Sequence, residues 1–423
     1  MKRFERPVGF VILVLLVVVL ALPDAAMAGD GRRTEAPATV VLISLDGTRP
    51  ADLTEALLPS LVELGRRGAR ADALIPVNPT NTFPSHVSLV TGVRPEEHRL
   101  VNNQFIDPVR GRFSRDEPHA WIESEPIWSI AERHGLPTAS FYWVGSEGPW
   151  KAGPGPRETR KFSSRTREKT KVDQILKWLA IEDPLSRPRL ITSWFHGADH
   201  AAHLSGPGTQ AVARSLSPQN TQIARLIAEM EKRGLFDSTT LIFVSDHGMA
   251  KARTRLNLGR RLRRAGLKLS LLGIGGFASG VFDKGENSTE NLARAVEIAR
   301  KAGLAAWARA EAPADWHVGD PRFGDFVVRA PIGTAIVGST TLIDGFHGYD
   351  AEEPAMAGLL VARGRGVLAG ARLGRVSSLA IAPTVLVLLG LPVPAQMKAP
   401  PIAELLMGVG ESCRSGASCD PSR

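Results

Sequence analysis

The sequence predicts a three-layer α/β/α fold built on a central, largely parallel β-sheet, and three observations carry that prediction. Short β-branched runs alternate with amphipathic stretches along most of the chain. That alternation of β and α segments implies a largely parallel sheet covered on both faces. Polar residues that could do chemistry gather where those runs stop, the rim at which open α/β sheets bind ligands.

The first 28 residues stand apart from this scheme. Lys2, Arg3 and Arg6 precede an apolar stretch from Val8 to Leu22, and Pro23 and Ala26-Met27-Ala28 follow. That is the layout of a cleavable signal peptide, and the apolar run is shorter than the roughly 20 residues a membrane span requires. Export to the periplasm or the medium is expected, with no stable membrane span after cleavage following Ala28; the competing reading is an uncleaved signal anchor.

The strands are then expected at Thr39-Asp46, Ala69-Val77, Thr138-Val144, Leu190-Phe195 and Thr240-Ser245, with another near Gly358-Ala362. Between them, apolar residues at three- and four-residue spacing predict helices at Leu57-Arg66, Pro126-His134, Val172-Leu179 and Gln219-Lys232. A last apolar helix near Ser378-Leu389 stops at Gly390 and Pro392. One large domain from residue 36 to 408 is expected, with residues 253–331 as a candidate appended subdomain and 409–423 as a tail. Cys413 and Cys419 both fall in that tail, where a bridge would close only a short local loop.

Composition excludes several classes. With 423 residues, 43% of them hydrophobic, and two cysteines, the chain is neither disordered nor a disulfide-built miniprotein. It is basic, 52 Lys+Arg against 43 Asp+Glu, which favours anionic substrates. The excess lies partly in two runs, Arg157-Lys171 and Lys251-Lys268, that read first as solvated surface. The absence of any aromatic-interleaved basic module argues against specific nucleic-acid binding.

Four groups carry the chemistry. Asp46 ends one apolar run, and Asp246 with His247 ends another, so two strands deliver carboxylates and an imidazole to one rim. Asp199 and His203, four apart, share a helical face. His347 is presented between glycines in Gly345-Phe346-His347-Gly348. In Asn78-Pro79-Thr80-Asn81-Thr82-Phe83-Pro84-Ser85-His86, Thr82 stands at a helix N-terminus, where orphan N–H groups and the dipole favour an anion. Singly, each has an ordinary explanation as a cap, a turn or a surface pair.

Together, Leu45-Asp46-Gly47, Thr80 to His86, Val101-Asn102-Asn103, Asp199-His200-Ala201-Ala202-His203, Ser245-Asp246-His247-Gly248-Met249 and His347-Gly348-Tyr349-Asp350 resemble, in order and spacing, the nucleotide pyrophosphatase/phosphodiesterase branch of the alkaline phosphatase superfamily. The resemblance implies an alkaline-phosphatase-like fold and cleavage of a small phosphodiester or nucleotide substrate through a phosphothreonine on Thr82. It also implies two zinc ions, one held by Asp199, His203 and His347 and the other by Asp46, Asp246, His247 and Thr82. Carboxylate and imidazole donors also serve manganese and iron. Asn103 matches the position that contacts a phosphate oxygen, and Phe83 and Trp194 match positions that flank the organic group.

The pattern departs where His196-Gly197-Ala198 replaces the usual Glu-Glu-Pro, Ala202 the usual Gly and Val144 the usual Pro. Those departures bear on the pocket wall more than on the metal-ligand types. The competing readings are a phosphomonoesterase or phosphonate hydrolase on the same metals, and an inactive metal-binding receptor domain.

Overall fold

The structure is a computed structural model that describes residues 38–338 and 343–407. The signal segment and the tail with Cys413 and Cys419 lie outside the described residues.

The central sheet has eight strands. They are β1 (Thr39–Leu45), β2 (Ala69–Ile75), β3 (Thr138–Phe141), β4 (Glu158–Arg160), β5 (Leu190–Phe195), β6 (Thr239–Val244), β7 (Leu360–Gly364) and β8 (Arg372–Ser377). Their spatial order is β8-β2-β7-β6-β1-β5-β3-β4. Only β7 runs antiparallel to its neighbours, β2 and β6; the other pairs are parallel. The predicted largely parallel sheet is therefore present.

Successive β1 side chains enter opposite cores, which is why the strand is apolar without alternation. Val40 and Leu42 pack with α2 (Thr82–Thr91), α3 (Ile127–Arg133) and the C-terminal apolar helix Ile381–Leu388. Val41, Ile43 and Leu45 pack with α1 (Pro59–Arg67), α4 (Glu168–Leu179) and the long helix Gln210–Lys232. These are the two outer layers.

The long helix begins nine residues before its expected start, at Gln210, because Pro218 lies inside it. Proline removes one backbone hydrogen bond and crowds the preceding turn. Here Val212, Leu216, Ile223, Leu226 and Met230 continue one buried stripe across it, and that packing holds the helix together. β3 stops three residues early, at Phe141, since Tyr142 takes a left-handed backbone with φ of 59°.

Register fixes where chemistry can occur. Ser44 of β1 lies opposite both Trp194 of β5 and Val244 of β6. Three adjacent strands thus end at one rim and release Asp46, Asp199 and Asp246 from the same edge. A separate antiparallel sheet, Leu269–Leu272, Phe277–Phe282, Phe326–Arg329 and Ala305–Ala308, carries helices Leu258–Arg264 and Thr289–Lys301 over its own apolar core. Its Gly276 N–H donates to the His347 carbonyl at 2.9 Å, tying it to the site.

Candidate active site

The β1 and β5 rims meet through glycine. Gly197 has φ of 58°, and a Cβ there would lie 2.0 Å from the Asp46 carbonyl oxygen. Without that atom the loop closes on β1, and the Ala198 and Asp199 N–H groups donate to Asp46 O at 2.8 and 3.1 Å. Gln219 braces the same loop, accepting from Gly197 N and donating to Gly197 O. On the other side, Ser245 Oγ accepts from Thr48 N and donates to the His247 carbonyl.

All six predicted carboxylate and imidazole ligands converge. His247 Nε2 lies 3.2 Å from Asp246 Oδ2 and 3.6 Å from Asp46 Oδ1. His203 Nε2 lies 3.3 Å from Asp199 Oδ1, and His347 Nε2 lies 3.9 Å from that same oxygen. The His247 and His347 rings stack with centroids 3.9 Å apart. Donor atoms of Asp46, Asp246 and His247 fall within 4.8 Å of one another, as do those of Asp199, His247 and His347. His247 thus sits between the two clusters.

The donor chemistry fits divalent metal. Each of the three imidazoles spends Nδ1 on a backbone carbonyl: His203 on Gly345, His247 on Gly248 and His347 on Thr80, at 2.8 to 2.9 Å. This fixes the proton on Nδ1 and turns each Nε2 lone pair toward the carboxylates, the orientation a metal ligand needs. Asp46 Oδ1, Asp199 Oδ1 and Asp246 Oδ2 are buried without hydrogen-bond partners. Three such oxygens facing three imidazole lone pairs are a costly arrangement that a cation relieves.

The electrostatics agree. Burial, reinforced by Asp246 and Asp199, pushes the Asp46 carboxyl well above its ordinary value. Burial opposes ionisation of Asp199 too, but the adjacent His203, His347 and His247 imidazoles hold it at about 2. Burial also resists charging of Asp246, yet His247 and His86 keep it below the usual carboxylate range. Burial together with the adjacent His247 and His203 drives His347 well below the ordinary imidazole value.

Thr82 is the first residue of α2, and its Oγ1 lies 3.2 Å from His247 Nε2. Its backbone N–H is one of the orphan donors of a helix N-terminus. Asn103 Oδ1 accepts from Phe83 N–H at 2.8 Å, and among the described residues no hydrogen bond engages the Asn103 NH2. Asn102 Oδ1 ties the neighbouring loop together by accepting from Asn81 Nδ2 and from Asn103 N, both at 2.8 Å.

Trp194 is half-buried and has a second contact that its sequence position does not reveal. Its Nε1–H donates to Asp46 Oδ2 at 3.1 Å, and its ring stacks on exposed Phe162 with centroids 5.2 Å apart.

Sequence reasoning passed over Thr80, Phe162 and Arg115. Thr80 Oγ1 donates to Tyr349 O and accepts from Gly348 N, both at 2.9 Å, clamping the His347 loop to the Thr82 loop. Its presence two residues before Thr82 was the available signal. His86 is fully buried, with Nδ1 2.9 Å from Thr82 O and 3.2 Å from Asp246 Oδ2. His196 pairs with Glu168 at 2.7 Å, while His200 is exposed.

An α/β/α fold whose strand rim gathers three carboxylates, three oriented imidazoles and a hydroxyl in the first turn of a helix is that of a hydrolase with a candidate metal site. The profile of the type I phosphodiesterase / nucleotide pyrophosphatase family matches residues 40–350, and the chain belongs to that family, whose members hydrolyse phosphodiester or pyrophosphate bonds. It is 30% identical over 357 residues to an uncharacterized pyrophosphatase/phosphodiesterase of Schizosaccharomyces pombe, a match covering 77% of this chain and 71% of that protein. It is 32% identical over 218 residues to rat ectonucleotide pyrophosphatase/phosphodiesterase family member 3, covering 50% of this chain and 25% of the relative.

Among solved structures, an inactive threonine-to-alanine variant of murine ectonucleotide pyrophosphatase/phosphodiesterase 5, in complex with AMP, superposes with a TM-score of 0.77. That match is 23% identical and covers 84% of this chain and 96% of the other. The fold is thus alkaline-phosphatase-like. Among the described residues no helix is long and apolar enough to cross a membrane.

Proposed function

We propose that this chain cleaves small nucleotide-type phosphodiesters or pyrophosphates in two displacements through Thr82, with two zinc ions held by its carboxylate and imidazole clusters. The observation that carries this reading is the placement of Thr82 Oγ1, at the head of α2 and 3.2 Å from an imidazole nitrogen that faces buried, unpartnered carboxylate oxygens. Asp199, His203 and His347 would hold one ion, and Asp46, Asp246, His247 and Thr82 the other. When bound, the ions supply Lewis-acid activation and neutralise phosphate charge.

The remaining roles belong to the chain. Thr82 Oγ1 forms a bond to phosphorus as the bond to the leaving oxygen breaks opposite it, giving a phosphothreonine. Water then attacks the same phosphorus and returns the free hydroxyl. The Thr82 N–H and the Asn103 NH2 donate to the nonbridging oxygens, whose charge grows during each displacement. Asp46 is oriented by the Trp194 indole, and the Asp199 loop by Gln219. Phe83 and Trp194 flank the organic group, with Phe162 extending the aromatic surface beside Trp194.

The same reading assigns catalysis to a domain spanning residues 36–408, with residues 253–331 appended to it, in a protein exported after cleavage at Ala28. A paired assay tests it: zinc-loaded protein on bis-p-nitrophenyl phosphate and on p-nitrophenyl phosphate, each repeated with Thr82→Ala and with chelator. Diester preference abolished by both treatments is expected. Monoester preference would move the protein to the phosphatase reading, and zinc binding without turnover to the receptor reading.

A further inference from the structure

Arg115, which forms no ion pair among the described residues, follows a well-anchored support beside Phe83. The support is a hairpin, Phe105–Asp107 with Gly111–Phe113. Arg322, only 2% exposed, locks it by donating to Asp107, to the Arg99 carbonyl at 2.7 Å and to Glu123 at 3.2 Å. Phe113 stacks on Phe105 with centroids 4.8 Å apart and reaches Phe83 at 6.2 Å. The hairpin is thereby fixed against the residue that follows the nucleophile.

Two residues past the hairpin, Arg115 takes a left-handed backbone with φ of 73°. That is an uncommon conformation for a residue with a side chain, and one that sets the direction in which the side chain leaves. Its guanidinium lies over the Phe83 ring, 5.8 Å from the centroid. The guanidinium therefore stands beside Phe83, the residue that follows Thr82.

Among the described residues no carboxylate forms an ion pair with Arg115, although Asp116 and Glu117 follow it directly. It is exposed and retains its full fork of N–H donors. A guanidinium without a carboxylate partner that lies over an aromatic ring is arranged to meet a planar or tetrahedral anion arriving from outside.

We infer that Arg115 recognises a second phosphate of the substrate, beyond the one attacked, and so selects substrates that carry an additional phosphate group over singly charged diesters. The inference rests on the two-displacement reading above and narrows its substrate class. It supplies the recognising cation that the sequence alone did not reveal. The second phosphate can belong either to the retained nucleoside or to the leaving group, and the test separates these two sources.

The experiment compares wild type, Arg115→Ala and Arg115→Lys, all zinc-loaded, on three substrates. These are thymidine 5′-(p-nitrophenyl phosphate), the same ester carrying a 3′-phosphate, and ATP. The quantity read is kcat/KM for each substrate with additional phosphate divided by that for the plain ester. A fall of about tenfold or more in one of the two ratios on Arg115→Ala, partly restored in Arg115→Lys, is expected from loss of a charge-assisted contact. A fall with the 3′-phosphorylated ester places the second phosphate on the retained nucleoside; a fall with ATP places it in the leaving group.

Unchanged ratios overturn the inference. So does an equal loss on all three substrates, which would mean that Arg115 only shapes Phe83. If the wild type with zinc cleaves none of the three, the two-displacement reading has failed and this inference falls with it. Turnover by the wild type with unchanged ratios sinks the inference alone.

Discussion

Replacing Thr80 by valine probes the clamp between the nucleophile loop and the His347 loop. Thr80 is fully buried. Its hydroxyl donates to Tyr349 O and accepts from Gly348 N, while Gly348 N also reaches the Thr80 carbonyl at 3.1 Å. Valine keeps the shape, so no cavity opens. Gly348 N keeps one acceptor, but Tyr349 O loses its donor, and one unpaired buried carbonyl costs about 1–3 kcal/mol.

The same loop orients His347 through Nδ1, so loosening it should weaken metal binding at the Asp199-His203-His347 cluster by about 10- to 100-fold. The Asp46-Asp246-His247 cluster should be much less affected. Urea unfolding of the metal-free protein measures the first effect, and zinc titration by calorimetry the second. Thr80→Ser, which keeps the hydroxyl, should stay close to wild type in both. A Thr80→Val protein indistinguishable from wild type in stability and in both zinc affinities would refute the clamp.

Two further outcomes follow from the geometry. Gly197→Ala should lower stability by at least about 2 kcal/mol and abolish turnover, because a left-handed φ and a Cβ 2.0 Å from Asp46 O force the loop off β1; thermal unfolding with a diester assay checks it. His98 is fully buried, accepts from Leu100 N through Nδ1 and so donates to Ser88 through Nε2, and burial lowers its pKa to about 3. Between about pH 3 and 6.5 the unfolded chain binds a proton that the folded chain refuses. Its contribution is complete above pH 6.5 and is lost as pH falls, at up to about 1.4 kcal/mol per pH unit. His98→Gln should flatten that part of the stability–pH curve, and an unchanged slope by denaturant titration would show that another group sets it.

Much of the site was legible because it is written locally. Apolar runs read directly as two-sided strands, and the first polar residues after them, Asp46 and Asp246, are where parallel register delivers side chains to a common rim. The four-residue spacing of Asp199 and His203 survives intact on the helix Asp199–Ser205. What escaped depends on contacts between distant segments. Thr80 meets Tyr349 across 269 residues, the Gly197 approach to Asp46 across a strand pairing, and Arg115 reaches Phe83 through a hairpin anchored by Arg322. The early start of the long helix was hidden by Pro218, whose local cost is outweighed by packing that no window of sequence displays.

The most direct test of Thr82 as nucleophile is the stereochemical course at phosphorus. Hydrolysis of a phosphorothioate diester of known configuration in isotopically labelled water should proceed with overall retention, since two in-line displacements each invert the centre. Inversion would mean that water attacks the substrate directly, and the phosphothreonine at Thr82 would have to be abandoned.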